Sequence, residues 1–194
     1  MKHVVISLVF LFCFCQALPA SALEYKVKKD TQDTVIQASG WIGEQDIATL
    51  ETLLNEYPDN ITLELNSKGG VAKAGMQIGL ILKQNPRVST VILPGNVCVS
   101  ACALAFLGAN QRLIYPGGKI GFHRVYNQES DLSQMSRREL EFQSMLLGFV
   151  MGRYFSLLGI DNELLYKSLD YGPEEVWLLS DSELSQYQVT TGTP

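Results

Sequence analysis

The order of apolar patterns along the chain predicts an α/β fold with a mainly parallel sheet. Three observations carry that expectation. Short β-branched runs alternate with segments of helical period from about residue 34 onward. Each change of period falls at a Pro, Gly or Asn cluster, and a single long apolar-periodic stretch lies near the C-terminus. Strands separated by helical segments need crossover connections, so their pairing is parallel.

Residues 25–29 and 34–39 read as two short strands around a polar turn at 30–33. Ile47, Leu50, Leu53, Leu54 and Tyr57 recur at helical spacing, and Pro58-Asp59-Asn60 ends that helix. Residues 61–65 (ITLEL) form a strand, and Asn66-Ser67-Lys68-Gly69-Gly70 reads as the turn after it. A helix over 71–84 carries Ile78, Leu80, Ile81 and Leu82 and stops at Asn85-Pro86. The strand 88–93 (VSTVIL) is broken by Pro94-Gly95, and a small-residue helix begins near Val99. Strands 111–115 and 119–122 follow, joined by Pro116-Gly117-Gly118. A long amphipathic helix over 132–158 carries Met135, Leu140, Met145, Leu146, Phe149, Val150 and Phe155. Shorter helices at 161–168 and 180–186 complete the chain. No repeat or linker divides it, so residues 23–194 make one domain.

Residues 1–22 stand outside that domain. Lys2 and His3 precede an apolar run from Val4 to Phe14, and Ala20-Ser21-Ala22 is a small-x-small cleavage site, the three-part pattern of a secretory signal peptide. The run is short for a membrane span, which disfavours an uncleaved anchor. Cleavage after Ala22 leaves about 170 residues, enough for one sizeable core. Secretion across the inner membrane to the periplasm is the expected destination. The net charge of −5 and the lack of a basic stripe exclude nucleic acid as a natural partner. Cys13 and Cys15 leave with the signal peptide, so Cys98 and Cys102 are the remaining pair. In an exported protein a disulfide is the default for such a pair. Placed four apart on one helix face they would lie near the upper limit of disulfide reach, with buried thiols as the rival reading. Two thiols and a distant His123 fall short of a metal site, so no metal and no other cofactor is expected.

The candidate chemistry centres on Ser100. A serine between a strand and a helix start has its hydroxyl turned outward beside unpaired backbone N–H groups, the arrangement an acyl-transfer nucleophile needs. Simple helix capping is the competing role. His123, the sole histidine after residue 22, ends the strand 119–122, where side chains of α/β proteins converge. Neutral imidazole is the usual base for a serine hydroxyl. Gly69-Gly70, between a strand and a helix, lets backbone N–H groups approach a ligand.

The stretch 61–106 resembles the proteolytic subunit of the Clp protease and its relatives in the crotonase-like superfamily. The resemblance rests on ordered motifs across about 60 residues: Leu65-Asn66-Ser67-Lys68-Gly69-Gly70-Val71, Ala74-Gly75-Met76, Val88-Ser89-Thr90-Val91, Val99-Ser100-Ala101, and the later Gly121-Phe122-His123. It implies repeated β-β-α units, a mainly parallel sheet and a long C-terminal helix. It implies Ser100 as nucleophile, His123 as general base, and the N–H groups of Gly70 and Ala101 as the oxyanion hole. The backbone at 70–73 would align an extended peptide or protein substrate by strand-like pairing. Members of the family form rings, so the resemblance implies a homo-oligomer; the apolar residues of the 132–158 helix fit either its interface or the core. The cysteine-flanked serine fits an exported branch, for which no ATPase partner is expected.

Two positions depart from the family pattern. Lys68 stands where the turn usually has proline. The third triad member, an acid about fifty residues after the histidine, has three candidates. The pattern Trp177-Leu178-Leu179-Ser180 favours Glu175, simple counting favours Asp170, and Glu174 lies between. The leading expectation is therefore an exported serine hydrolase acting on peptide bonds. The alternatives are a catalytically silent binding protein on the same fold and, less favoured, a crotonase-type activity on acyl thioesters.

Overall fold

Alternating burial along the first strands sets the sheet. The computed structural model describes residues 22–29, 33–125, 134–172 and 174–193, so the expected signal peptide (bar Ala22) lies outside the described residues. Strand β1 (Leu23–Lys29) pairs antiparallel with β2 (Asp33–Ile42), from Leu23 opposite Gly40 to Lys29 opposite Thr34. Along β2, Thr34, Ile36 and Ala38 face inward and their neighbours outward, the period-two pattern of a sheet with one covered face.

Helix α1 (Gln45–Glu56) buries Leu50 and Leu54. Its exposed C-terminal carbonyls are taken up by Arg87, whose guanidinium donates to Leu54 O, to Tyr57 O at 2.6 Å and to Asp59 O at 2.8 Å. Strand β3 (Asn60–Gly70) runs parallel to β2. It is twice as long as the sequence pattern suggests. Residues 66–70, expected as a turn, continue the strand, and the inward positions Ile61, Leu63 and Leu65 are followed by Ser67 and Gly69. The inward set shrinks from aliphatic to hydroxyl to hydrogen because another backbone lies against it there.

Helix α2 (Ala72–Gln84) returns the chain to β4 (Val88–Ile92), parallel to β3. A strand absent from the sequence reading follows: β5 (Val97–Val99), paired with Ser67 of β3 through Cys98. Three residues are too few to register as a pattern. Helix α3 (Ala101–Leu107) is buried along its whole length. It packs on α2 through glycines: a methyl group at Gly75 would collide with the Ala101 carbonyl, and one at Gly108 with the Gly79 backbone. Gly79 also makes room for the buried Tyr154 hydroxyl, which donates to Leu104 O at 2.6 Å.

Strands β6 (Gln111–Ile114) and β7 (Lys119–Phe122) do not pair with each other across Pro116-Gly117-Gly118. β6 extends the sheet beyond β4, whereas β7 lies parallel to β5, with Val99 opposite Gly121. The sheet is therefore mixed but mostly parallel, split after β3 into two branches. The long helix α4 (Arg137–Leu158) starts at Ser136 in a capping box with Glu139 and stops at Gly159, φ 72°. Its expected first residues fall partly outside the described segment, and Met135 precedes the helix. Only Met151, Tyr154, Phe155 and Leu158 are buried; Met145, Leu146, Phe149 and Val150 are exposed. Helix α5 (Asn162–Ser168), a two-residue strand β8 (Trp177–Leu178) antiparallel to β7, and α6 (Asp181–Gln186) follow.

The C-terminal segment is fastened by Arg112. Its buried guanidinium donates to Val189 O at 2.7 Å, Ala109 O at 2.8 Å and Gln188 O at 2.9 Å. Those carbonyls lie just beyond α3 and α6, where the helix dipoles are negative, so among the described residues a buried cation is held without a carboxylate. Burial pulls this guanidinium below its ordinary value.

Candidate active site

Parallel strands carry their chemistry at their C-terminal ends, and β5 and β7 are neighbours in register. Ser100 follows Val99 by one residue, and His123 follows its partner Gly121 by two. Both side chains line one cavity, together with Leu104, Phe122, Val125, Met151, Phe155 and Ser168.

Ser100 adopts φ 57° and ψ −122° at the corner between β5 and α3. That region disfavours an L-residue, with a cost of about 1–3 kcal/mol. Its backbone is fully engaged: the N–H donates to Gly121 O at 3.0 Å and the carbonyl accepts from Leu104 N at 3.1 Å. The hydroxyl makes no capping bond. Capping, the bland alternative for this serine, is therefore not its role.

Gly69 closes on the same corner. A methyl group at Gly69, φ 110°, would stand 2.8 Å from Ser100 Cβ, 2.9 Å from Val99 O and 3.3 Å from Ala101 N. One at Gly70 would strike the Ile42 backbone. Ser67 fixes the turn of the strand, its Oγ accepting from Gly69 N at 3.0 Å and donating to Gly69 O at 3.3 Å. Val71 N–H donates to Ile42 O at 2.8 Å. The stretch 70–73 is not uniformly extended: Val71 is, but Ala72 opens α2, and Lys73 pairs with Glu44 at 3.0 Å. Ala101 N–H belongs to the first turn of α3, where no intrahelical acceptor exists.

Cys98 and Cys102 form a disulfide with a Cα separation of 5.1 Å, both fully buried. The separation is shorter than four helical residues would give because Cys98 lies on β5 rather than on the helix. The bond spans the Ser100 corner and ties strand to helix.

His123 is half-buried, and its Nδ1 lies 2.9 Å from the Arg124 carbonyl. A carbonyl only accepts, so this bond puts the proton on Nδ1 and makes Nε2 the basic nitrogen of the neutral ring. Arg124 N–H in turn donates to Tyr171 O at 3.0 Å, which anchors the histidine segment to the stretch after α5. Asp170 pairs with Lys167 at 3.6 Å and is exposed. Glu174 and Glu175 are exposed. Lys68 is exposed on β3 and does not line the cavity. The sequence reading missed Ser67, the Arg124 carbonyl and the cavity wall from α4 and α5. A backbone acceptor leaves no trace in residue type; the serine two before Gly69 was the one legible signal.

A strand-to-helix serine elbow that shares a cavity with a histidine at the end of the adjacent parallel strand, in a ClpP/crotonase-like α/β fold, defines the class as a serine-peptidase fold. Residues 32–150 match the Clp protease family model. The chain belongs to the Clp protease family. No curated protein sequence matches it. Among solved structures it is similar to a serine-to-alanine mutant of the 1510-N membrane-bound stomatin-specific protease, with 21% identity, TM-score 0.58, and 86% of this chain and 81% of that one covered. It is similar to an asparagine-to-aspartate mutant of ClpP1 from Listeria monocytogenes, with 19% identity, TM-score 0.60, and 82% and 90% covered. A lysine-to-alanine mutant of 1510-N in complex with a substrate peptide aligns with 21% identity, TM-score 0.54, and 81% and 73% covered.

Proposed function

We propose that the protein is an exported serine peptidase working from Ser100 and His123. His123 Nε2 takes the Ser100 proton, Oγ attacks a peptide carbonyl, and the N–H groups of Gly70 and Ala101 hold the developing oxyanion. The imidazolium then protonates the leaving amine, and water, activated by the same histidine, releases the acyl group. The observation that carries the reading is the Ser100 backbone at φ 57°, strained at a corner whose hydroxyl is not spent on the helix. A peptide substrate is favoured by the family and by the related protease bound to a substrate peptide.

In this reading the Arg124 carbonyl orients the imidazole, in the place the sequence reserved for Glu175. Export to the periplasm rests on the N-terminal pattern and suits the Cys98–Cys102 disulfide. Self-association rests on α4, where Phe142, Met145, Leu146, Phe149 and Val150 fall at helical spacing on one exposed stripe.

A fluorophosphonate probe tests the chemistry. The oxidised protein is expected to be labelled at Ser100, with labelling abolished in Ser100→Ala and reduced at least ~100-fold in His123→Ala. An unlabelled wild type would leave the silent binding protein as the function. Glu175→Gln, Asp170→Asn and Glu174→Gln separate the orienting arrangements: a large loss of labelling in one assigns the role to that carboxylate, and unchanged labelling in all three supports the Arg124 carbonyl.

A further inference from the structure

Asp46 is a buried carboxylate that the peptidase mechanism does not use. It is 1% exposed, and among the described residues no lysine, arginine or histidine pairs with it. Its Oδ2 accepts from Gly43 N at 2.7 Å, a local bond at the start of α1. Its other contact is remote in sequence: Leu23 N lies 3.2 Å from Oδ1 and 3.4 Å from Oδ2. Tyr25 sits close enough that the Asp46 charge adds to burial in pushing its hydroxyl above the ordinary value. A buried carboxylate served only by neutral N–H donors is poorly compensated.

Leu23 is also the residue that follows the Ala20-Ser21-Ala22 cleavage pattern. We propose that removal of residues 1–22 creates an α-ammonium at Leu23 that forms a buried ion pair with Asp46, so that maturation completes the fold. Hydrolysis of the Ala22–Leu23 amide by a leader peptidase consumes one water, leaves a carboxylate on Ala22, and leaves the amine on Leu23 to take up a proton. The nitrogen already stands between both Asp46 oxygens, so cleavage converts a neutral donor into a charged one without moving it. The first rung of the β1–β2 hairpin, Leu23 opposite Gly40, is thereby locked to the N-terminus of α1. The inference rests on the export half of the proposed function and is independent of the chemistry at Ser100.

The test uses the full chain, exported and processed in a bacterial host, with intact-mass analysis and thermal unfolding of the product. Three further products are compared: one with a glycine inserted between Ala22 and Leu23, Asp46→Asn, and the two changes combined. Asp46→Asn keeps an oxygen for Gly43 N–H, so it folds while losing the charge. The native product is expected to begin at Leu23 and to melt about 4–8 °C above the glycine-extended one. That gap is expected to vanish in the Asp46→Asn background. A product beginning elsewhere, equal melting temperatures for the native and extended starts, or a gap that survives Asp46→Asn would each overturn the proposal. None of these readouts depends on fluorophosphonate labelling, so a silent Ser100 leaves the outcome legible.

Discussion

Replacing Ser100 by glycine should make the protein more stable than replacing it by alanine, although both delete the hydroxyl. Alanine keeps the strain of φ 57°, ψ −122°, whereas glycine adopts that conformation freely. The strain is about 1–3 kcal/mol. Glycine gives back roughly 0.5–1 kcal/mol through the greater freedom of the unfolded chain. The net gain over alanine is therefore about 1 kcal/mol, which for a domain of this size raises Tm by about 2–4 °C. Calorimetry of the two variants, oxidised and at the same pH, measures it directly. Equal melting temperatures, or a less stable glycine variant, would mean that the corner is unstrained and would remove the chief support for Ser100 as a nucleophile.

Other perturbations have equally definite outcomes. Gly69→Ala should lower stability by about 2–4 kcal/mol in urea unfolding and abolish fluorophosphonate labelling, because its methyl group meets Ser100 Cβ and Val99 O at a backbone angle alanine resists. Arg112→Met should cost about 3 kcal/mol by the same assay, since Val189, Gln188 and Ala109 carbonyls lose their donor and the C-terminal segment detaches. Cys98→Ala with Cys102→Ala should cost roughly 2 kcal/mol from the short closed loop and slow labelling of Ser100. Phe149→Glu on the exposed stripe of α4 should shift the sedimentation coefficient to that of a smaller species while leaving the far-UV spectrum unchanged. The Glu183 carboxyl is held below its usual 4.5 by the Ser180 N–H, the Ser180 hydroxyl and Trp177 Nε1. Its folded value being the lower one, the stabilisation is full above the unfolded value and fades as pH falls through the folded one. Glu183→Gln should therefore lose its small disadvantage in acid, followed by Tm against pH.

Much of the fold was legible because most elements announce themselves by period. Ile36 and Ala38 alternate with polar neighbours, and Leu50 and Leu54 repeat at helical spacing. The failures share a cause: the tertiary environment overrides a local signal. Asn66 to Gly70 reads as a turn because Asn, Ser and Gly favour turns, yet the segment stays extended between Ile42 and Cys98. β5 and β8 are too short to show alternation. The apolar residues of α4 fit either core or an interface by their period, and only those from Met151 onward reach the core. At the site, Ser100, His123 and the glycine pair were legible as residue types in order, and the structure adds the register that brings Ser100 and His123 together. The Arg124 carbonyl could not be read, since every residue carries one.

The arrangement around Ser100 also bears on whether the chain is an enzyme or a silent relative. A strained backbone angle persists only when its surroundings impose it. Here the Ser100 N–H is bound to β7, the disulfide joins both sides of the corner, and Gly75 lets α2 press against Ala101. A binding module that had lost its chemistry would gain about 1 kcal/mol by relaxing this corner, with glycine at position 100 as the simplest route. The chain instead keeps a serine there, leaves its hydroxyl out of the helix cap, and lines the same cavity with an imidazole whose Nδ1 lies against a carbonyl. Strain retained at the one position where a nucleophile needs it favours the peptidase over the scaffold.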